Sequence, residues 1–567
     1  MRLKYMKISK FVTRYTLLLI ILLALFLRVW RLGVNPPHLT PDEASLGYNA
    51  YSILKTGHDE YGELLPIVFK SFGDYKPGLY VYLTVPFVAI FGLTEFAVRL
   101  PSALAGVFSV YLIYIISKEL FNDKKLSLIS AFIAAVTPWL IYFSRGAWEV
   151  NISLTLTLTG IYLFLRACSP LGESLEKEKY LIFSSIFFSL TLPTYQGAKL
   201  STGIVILILV LLYRKKLFSF EKKNLIASLA VGLIISLPII ASLFSGQTGR
   251  LAVFSVFSYP RPQEYLEIFL QQGGEKVGDL SYYLFHSETL NFTRGILGRW
   301  FNHFSGRFLF FEGDWPNPRH TAPYHGMLLL SDLVLLIAGF VALARRGFSR
   351  KTLFVWVWLV FSSLPSVLSR DQVHAVRALN MVVPMIFLLS FGLESILARG
   401  NIKYVFYTFY ILSSIYFLDA YFVHVPRHNS KYWEHGYKQI VEAISPIQKN
   451  YKTVKIQQSF AQPYIYFLFY GLDGSSASRG YDPTKYQKQA ELVESEYKGD
   501  VGYITKLDNI EFIPIDWSVN RGDHGTLFVA DTIRIPPEDS RDESLFNLIQ
   551  EIKYLNGETA FRILEVK

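Results

Sequence analysis

The sequence predicts a polytopic all-α membrane protein with a soluble α/β domain at its C-terminal end. Three observations carry this prediction. Apolar runs of membrane-spanning length recur as far as Val423, basic residues gather in the short loops between them, and strand-like segments follow. Of the 567 residues 51% are hydrophobic, and the mean hydropathy is +0.30. A soluble protein of this length is expected to be less apolar.

The membrane part is predicted from runs that approach the length of about 20 residues needed to cross a bilayer. Their approximate bounds are 15–32, 79–93, 98–117, 126–143, 151–167, 180–197, 200–213, 225–244, 327–344, 353–368, 378–397 and 404–423.

Basic residues predict the orientation of these runs, because cytoplasmic loops carry an excess of Lys and Arg. The basic segments that we expect in the cytoplasm are 118–125, 214–223, 345–351 and 399–403. The N-terminal 14 residues are basic as well, and Arg28 to Arg31 stand where a cleaved signal peptide would need small residues. We therefore expect an uncleaved first helix with a cytoplasmic N-terminus.

The number of crossings follows from the same alternation. Twelve crossings would return the C-terminal region to the cytoplasm, whereas the loops after residue 118 alternate so as to leave it outside. We therefore expect 79–93 to lie along the membrane without crossing it fully. This gives eleven full crossings, or thirteen if one pair is undetected, with 33–78 and 245–326 as external loops.

The chain is divided into a transmembrane domain, 1–425, and an extracytoplasmic α/β domain, 426–567. Runs of β-branched and aromatic residues between turn signals predict strands, and Asn556–Gly557 between two apolar runs predicts a hairpin. The predicted strands are 451–458, 500–506, 510–517 and 526–535, and the predicted helices are 431–444 and 485–496.

Charge and cysteine content exclude several classes of function. The net charge is +11, but the basic residues lie in short loops between apolar runs, so they indicate topology and not nucleic-acid binding. Cys168 is the single cysteine, which excludes an intrachain disulfide and zinc-finger spacing. The glycine patterns of nucleotide-binding loops are missing from the sequence.

The adjacent carboxylates Asp42 and Glu43 follow the first apolar run and are the first candidate for catalysis. Transfer of a sugar from a phosphate carrier to a hydroxyl needs a base near the acceptor, and a carboxylate suits that role. The alternative is a solvated helix start, with Thr40 as N-cap and Pro41 at the first helical position. Spacing alone favours the helix start.

Lys76, in the segment Asp74 to Gly78 before the next apolar run, is the second candidate. A polyprenyl phosphate leaving group gains negative charge in the transition state, and a fixed cation stabilises it. An interfacial lysine before a membrane element is the alternative.

Two further turns combine charged residues with neighbouring apolar helices. Arg145 and Glu149 lie in a short external turn, where they form either part of a site or an ion pair that closes the turn. His374 and Arg377 stand three residues apart at the start of an apolar helix and so share one face. That face either clamps a phosphate or anchors the helix at the interface.

The loop from Phe311 to His320 ends the long external segment and contains Asp314 and Arg319. His320 and the later His325 are metal-ligand types, but two loop histidines are weak evidence for a metal site. Capping and turn roles are the alternative for Asp314.

Taken in order, these motifs resemble the GT-C glycosyltransferases, the superfamily of protein O-mannosyltransferases and aminoarabinose transferases (glycosyltransferase family 39-like). The resemblance covers nearly the whole membrane region, and it depends on the order of the motifs more than on any one of them. The matching segments are 28–33, Asp42–Glu43, Lys76–Pro77, 99–106, Ser144–Arg145, Gly313–Asp314 with Arg319–His320, 374–377 and 433–438.

The resemblance implies an inverting transfer of a sugar from a polyprenyl-phosphate donor to an acceptor hydroxyl of a protein, lipid or glycan outside the cytoplasm. By that resemblance Asp42 is the catalytic base and Glu43 its neighbour. The implied donor-phosphate contacts are Lys76, Arg145, His374 and Arg377, and the candidate substrate contacts are Asp74, Glu149, Asp314, Arg319 and His320. A divalent cation is compatible with the family but not indicated, and we expect no metal ligands.

The sequence departs from the family at Gly78, where many members have a second proline after Lys-Pro. This puts the placement of Lys76 in question.

Two rival functions remain open at this stage. A transporter or flippase would fit twelve apolar runs, although its charged groups should lie near the midplane and its halves should be related. A lipid-A or polymer ligase would use the same carrier. We expect a multi-pass protein of the cell membrane whose partners are a lipid-linked sugar and membrane lipids, with an unknown acceptor and no nucleic acid.

Overall fold

The computed structural model describes residues 2–169, 174–244, 255–471, 479–493 and 502–567. Within these ranges the chain is mainly helical up to residue 428 and contains a mixed sheet after residue 453. The predicted fold class, a helical membrane protein followed by an α/β region, is confirmed.

Ten helices and one hairpin lie in the described part of the first 244 residues. They are α1 (Arg2–Val29), α2 (Pro41–Thr56), β1 (Val68–Ser71), β2 (Asp74–Pro77), α3 (Leu79–Phe91), α4 (Glu95–Phe121), α5 (Lys124–Val136), α6 (Pro138–Ser144), α7 (Glu149–Cys168), α8 (Ser174–Leu190), α9 (Ala198–Leu217) and α10 (Lys222–Phe244).

Local sequence explains where several of these helices begin and end. The Thr94 hydroxyl accepts the Ala97 N–H at the start of α4, and Asn122 ends α4 in the left-handed conformation. The Asp123 side chain caps α5. Pro138 begins α6 after a bend of 55°, because proline is favoured at the first helical position and cannot continue a preceding helix.

The remaining helices of the described residues follow α10. They are Gln263–Gln272, Glu288–His303, Asp332–Arg345, Arg350–Phe361, Leu364–Val367, Val382–Leu397, Ile402–Asp419, Val425–His428, Tyr437–Ile444, Pro463–Tyr470, Pro483–Tyr486, Trp517–Asn520 and Pro537–Ser540. Each of the twelve predicted apolar runs overlaps one of the helices.

Within the described residues, five helices are long and apolar enough to cross a membrane, and the bent α5–α6 pair is a sixth candidate. The five are Glu95–Phe121, Glu149–Cys168, Lys222–Ser242, Leu379–Leu397 and Ile402–His428. Helix α3 has 13 residues, so at 1.5 Å per residue it is about 20 Å long, less than the ~30 Å of a bilayer core. Asp332–Arg345 and Arg350–Phe361, within two runs expected to cross fully, are similarly short with 14 and 12 residues, so helix length does not distinguish 79–93 from them. The total number of crossings stays a prediction.

The C-terminal region is built on a six-stranded mixed sheet. Its strands are β3 (Val454–Gln457), β6 (Lys506–Leu507), β7 (Ile510–Ile513), β8 (Leu527–Asp531), β9 (Phe546–Lys553) and β10 (Thr559–Val566), in the order β6-β7-β3-β8-β10-β9. A separate pair joins β4 (Leu492–Val493) and β5 (Tyr503–Ile504). The predicted strands and the hairpin at Asn556–Gly557 are confirmed for the described residues.

Both predicted C-terminal helices are wrong in part. The helix expected over 431–444 begins only at Tyr437, because Glu434 and Gly436 have φ of 53° and 120°, which a right-handed helix does not accommodate. The helix expected over 485–496 ends at Tyr486, and Leu492 pairs with Ile504 as a strand. Tertiary pairing overrides the local helical pattern there.

The C-terminal region shares a hydrophobic core with the segment between α1 and α3. The buried helix Pro463–Tyr470 packs against α2. The Tyr466 hydroxyl donates to the Leu39 carbonyl oxygen at 3.1 Å, and the Tyr48 hydroxyl donates to the Tyr481 carbonyl oxygen at 3.2 Å. This contact fixes the start of α2 between the membrane helices and the C-terminal sheet.

Candidate active site

The start of α2 is held by a capping box. The Thr40 hydroxyl accepts the Glu43 N–H at 3.2 Å, and Glu43 Oε2 accepts the Thr40 N–H at 3.0 Å. Pro41 occupies the first helical position. The predicted helix start is therefore confirmed, and it leaves Asp42 pointing away from the cap.

Asp42 and Lys76 form an ion pair between the start of α2 and the hairpin. The Asp42 side chain is 57% exposed, whereas the Lys76 side chain is 8% exposed. The ammonium also lies 4.7 Å from the centre of the Phe72 ring, a cation–π contact that fixes its position. The structure thus brings together an accessible carboxylate and a buried, oriented cation.

Gly78 explains the departure from the Lys-Pro-Pro pattern. Its N–H donates to the Ile67 carbonyl oxygen at 2.9 Å, a bond that proline cannot make. A Cβ at this position would lie 2.3 Å from Phe69 Cε2. Glycine here therefore closes the base of the hairpin and keeps Lys76 in register with Phe69.

Glu43 is buried, and its carboxylate is saturated with hydrogen bonds. Oε1 accepts from Arg99 Nε at 2.9 Å and from the Ala147 N–H at 2.8 Å. Oε2 accepts from Arg99 Nη2 at 3.1 Å in addition to the Thr40 N–H. This geometry suits a positioning group, because both oxygens are already occupied by protein donors.

Arg99 extends this network to the preceding loop. It is fully buried and donates to the carbonyl oxygens of Leu32, Pro36 and His38 at 3.2, 2.9 and 2.6 Å. The guanidinium thus ties the loop before α2 to α4. A buried cation of this kind requires the Glu43 carboxylate as its counter-charge.

Arg145 is also fully buried. It donates to the carbonyl oxygens of Leu27, Trp30 and Asn35 at 2.9, 2.8 and 2.8 Å. The sequence predicted a phosphate contact for Arg145. The observed geometry favours a structural role instead, because the guanidinium caps the end of α1 and is not accessible to a ligand.

A second polar cluster joins two loops later in the chain, one before Asp332–Arg345 and one before Val382–Leu397. Asp314 Oδ2 accepts from His320 Nδ1 at 2.7 Å and from the Ala375 N–H at 2.7 Å, while Oδ1 accepts from Asn317 Nδ2 at 2.9 Å. Asp314 is fully buried. These bonds hold the loop that contains Arg319 and His320 against the one that contains His374 and Arg377.

His374 lies in this second cluster beside His320, with ring centres 5.1 Å apart. Burial holds the pKa of His374 well below its usual range, and the charge of Arg377 lowers it further. Arg377 forms an ion pair with Asp371. His374 is therefore neutral at physiological pH and suits a hydrogen-bonding role better than a cationic one.

Three side chains of the second cluster are close enough to hold a metal ion. One ligand atom from each of Asp314, His320 and His374 lies within 4.8 Å of the other two. Both Asp314 oxygens, however, accept N–H groups. The arrangement is therefore that of a carboxylate orienting a histidine, and it adds no support for a metal.

Trp148 and Trp433 lie between the second cluster and the Glu43–Arg99 pair. The Trp148 ring centre lies 5.2 Å from that of His320 and 6.4 Å from that of Trp433. Trp433 in turn lies under the Arg99 guanidinium, at 5.8 Å. The second cluster and the Glu43–Arg99 pair thus lie on two sides of one aromatic layer.

The other two candidates lie at the ends of elements. Asp74 is buried at the first position of β2 in the hairpin. Glu149 begins α7 directly after Trp148. Neither has the accessible placement of Asp42 in the structure.

Sequence reasoning missed three groups near these clusters. Arg99 belonged to a matching motif, and an arginine within an apolar run was the available signal. Burial, and after it the charge of the neighbouring Asp59, raise the pKa of Glu60 to about 8; no sequence pattern marks this residue. Glu434 also belonged to a matching segment, and its positive φ was not predictable from the pattern.

Part of the chain is similar in sequence to known mannosyltransferases. The family model described as dolichyl-phosphate-mannose-protein mannosyltransferase matches residues 75–241, which include Lys76, Arg99 and Arg145. A putative mannosyltransferase, YkcB of Bacillus subtilis (strain 168), is 29% identical over 175 residues, which is 30% of this chain. The matched segment spans 22% of the length of that curated relative.

Two solved structures resemble the whole chain. ArnT from Cupriavidus metallidurans bound to undecaprenyl phosphate superimposes with a TM-score of 0.52 at 11% identity, over 96% of this chain and 97% of ArnT. The same protein in the apo state gives a TM-score of 0.51 at 13% identity and the same coverage. With the motif order and the match to the mannosyltransferase family model, the chain has the fold of the GT-C glycosyltransferase superfamily, as its sequence indicated.

Proposed function

We propose that this protein is an inverting glycosyltransferase that moves a sugar from a polyprenyl-phosphate donor to an acceptor hydroxyl on the extracytoplasmic face of the membrane. The observation that carries the proposal is the Asp42–Lys76 pair, in which an exposed carboxylate lies against a buried, fixed ammonium. ArnT, which has the same fold, is described as binding undecaprenyl phosphate, and this supports a lipid-linked donor here.

Asp42 and Lys76 would each assist one part of a single displacement at the anomeric carbon of the sugar. Asp42 takes the proton from the acceptor hydroxyl as the oxygen attacks the anomeric carbon. The bond between that carbon and the phosphate oxygen breaks, and the polyprenyl phosphate leaves with its electron pair. Lys76 stabilises the charge that develops on this leaving group. Attack from the side opposite the phosphate inverts the anomeric configuration.

Glu43 and Arg99 would act as positioning residues in this scheme. Their buried pair fixes the first turn of α2 relative to α4 and to the Ala147 N–H. A displacement of 1 Å at a reacting group lowers rates by roughly a hundredfold in other enzymes. A rigid first turn therefore matters for the placement of the Asp42 carboxylate.

Arg319, His374 and Arg377 would supply the second side of the donor site. Arg319 is half-buried and lies near enough to His374 for its charge to lower the His374 pKa. The aromatic layer of Trp148 and Trp433 joins this group to the Arg99 network.

The direct test is a transfer assay with purified protein, a panel of radiolabelled polyprenyl-phosphate hexoses and pentoses, and unlabelled membranes as the source of acceptor. The proposal predicts that one donor labels a membrane component and releases free polyprenyl phosphate. Uptake of a labelled solute into vesicles, with no transfer from any lipid-linked donor, would refute the transferase function and support a transporter.

A further inference from the structure

A cavity of about 970 Å³ lies beside the second cluster, where the membrane region meets the C-terminal sheet. One wall is the loop Pro316–Arg319, and another is the turn that contains Tyr432 and Glu434. The third wall is formed by the end of β8 and the start of β10. The volume is at the upper end of the range seen for small-molecule sites, about 300–1,000 Å³.

Two charged side chains from different walls line this cavity without pairing. In the part of the chain that the structure describes, the Arg319 guanidinium has no hydrogen bond or ion pair, and neither does the Glu434 carboxylate. Burial raises the pKa of Glu434 to about 7, and the Arg319 charge opposes that rise. Charged groups that are partly buried without partners are costly unless a ligand pairs with them.

The backbone around Glu434 is held in an unfavourable conformation. Glu434 has a φ of 53°, and Gly436 has a φ of 120°. A Cβ at Gly436 would lie 2.8 Å from Phe561 Cε2. Trp433 is fixed on the Arg99 guanidinium, and His435 lies against His38 with ring centres 6.3 Å apart. Strain that the surroundings maintain at a partly buried acid is typical of functional positions.

Aromatic rings provide the apolar part of the cavity. Tyr432 is 48% exposed, and Tyr554 and Phe561 are half-buried. Flat rings with polar groups at their edges suit a ligand that has one apolar face and many hydroxyl groups. Glu434 and Arg319 provide an acceptor and a donor for those hydroxyls.

The sheet topology disfavours an extended peptide in this cavity. Peptides commonly bind to sheets by adding a strand at a free edge. The edge strands here are β6 and β9, whereas the cavity is lined by β8 and β10, which are interior. The strand hydrogen bonds at this face are already used.

We propose that this cavity binds a carbohydrate acceptor, with its sugar rings on Tyr432 and its hydroxyls at Glu434 and Arg319. The inference rests on the proposed transferase function and specifies its acceptor class. Arg319 links the two, since it lies both in the cavity wall and beside the second cluster. An acceptor bound here would extend from the C-terminal sheet towards the donor site.

The test is saturation-transfer NMR on the purified full chain with maltotriose, mannotriose and chitotriose, and with the peptide Gly-Ser-Thr-Gly as the competing class. Tyr432→Ala and Glu434→Gln change the lining of the cavity. Glu434→Gln keeps the size of the side chain and removes only its charge. Tyr283→Ala is the matched control, because Tyr283 is 62% exposed and does not line the cavity.

We expect at least one trisaccharide to bind. Tyr432→Ala should weaken its binding roughly fivefold, and Glu434→Gln should weaken its binding as well. Tyr283→Ala should leave the binding unchanged. Binding of the peptide alone, no binding of any trisaccharide, or binding that the cavity variants do not change would overturn the proposal. Asp42→Asn separates this inference from the proposed function, since it should abolish transfer and keep trisaccharide binding. If wild type binds a trisaccharide but transfers no sugar, the proposed function fails and the binding site remains.

Discussion

Replacing Glu43 by glutamine should destabilise the fold, whereas replacing its neighbour Asp42 by asparagine should not. The Glu43 carboxylate accepts four N–H groups in a buried site, two of them from the fully buried Arg99. The glutamine oxygen can keep two of these donors. Its NH2 group would face the other two and leave the Arg99 charge without a counter-ion.

The size of the effect follows from these contacts. Two buried donors that lose their acceptor cost about 1–3 kcal/mol each. Breaking a buried ion pair by removing one partner costs about 3–5 kcal/mol. We therefore expect Glu43→Gln to lower the free energy of unfolding by about 3–5 kcal/mol. Asp42→Asn removes only an ion pair whose carboxylate is 57% exposed, so its effect should be about 0–1 kcal/mol.

The assay is thermal unfolding of purified protein in detergent, followed by intrinsic fluorescence and combined with the transfer assay. Glu43→Gln should lower Tm and activity together, and Asp42→Asn should lower activity alone. The double variant Glu43→Gln with Arg99→Met should recover part of the stability, because it removes the unpaired charge. A Glu43→Gln protein with wild-type Tm and no activity would refute the positioning role and restore the catalytic one.

Three further perturbations have clear expected outcomes. Lys76→Met should reduce kcat by roughly 10²–10³ through loss of charge stabilisation, measured against Lys70→Met on the partner strand, which should retain activity. Gly339→Ala should lower Tm, because its Cβ would lie 2.0 Å from a backbone oxygen of the facing helix, whereas Gly203→Ala has no atom within 4 Å and should be neutral. Glu60 has a folded pKa of about 8 against a usual 4.5, so its neutral form stabilises the fold fully below pH 4.5 and this contribution is lost as the pH rises through 8. Glu60→Gln should therefore raise Tm at pH 8 and change it little at pH 4.5, and an equal shift at both pH values would contradict the assignment.

Much of the architecture was predictable because it depends on local pattern. Every predicted apolar run overlaps a helix, since bilayer-length apolar segments can satisfy their backbone groups only as helices or closed barrels. The helix start at Thr40 and Pro41 was predictable for the same kind of reason, because the cap is made by residues within four positions of each other.

The roles of individual charged residues were less predictable, because they depend on contacts between distant segments. Arg145 lies in a turn with an acid, yet its partners are carbonyl groups at the end of α1. Glu43 and Asp42 are adjacent in sequence, but the helix turns one into the protein and the other out of it. The turn at Glu434 depends on packing against Arg99 and Phe561, which no local pattern contains.

Release of polyprenyl phosphate from a labelled polyprenyl-phosphate sugar, measured with purified wild-type and Asp42→Asn proteins of equal Tm, tests the central claim most directly. The claim predicts that wild type releases the carrier and labels an acceptor, while Asp42→Asn does neither at a rate above roughly a hundredth of wild type. Wild-type-like release and transfer by Asp42→Asn would contradict it.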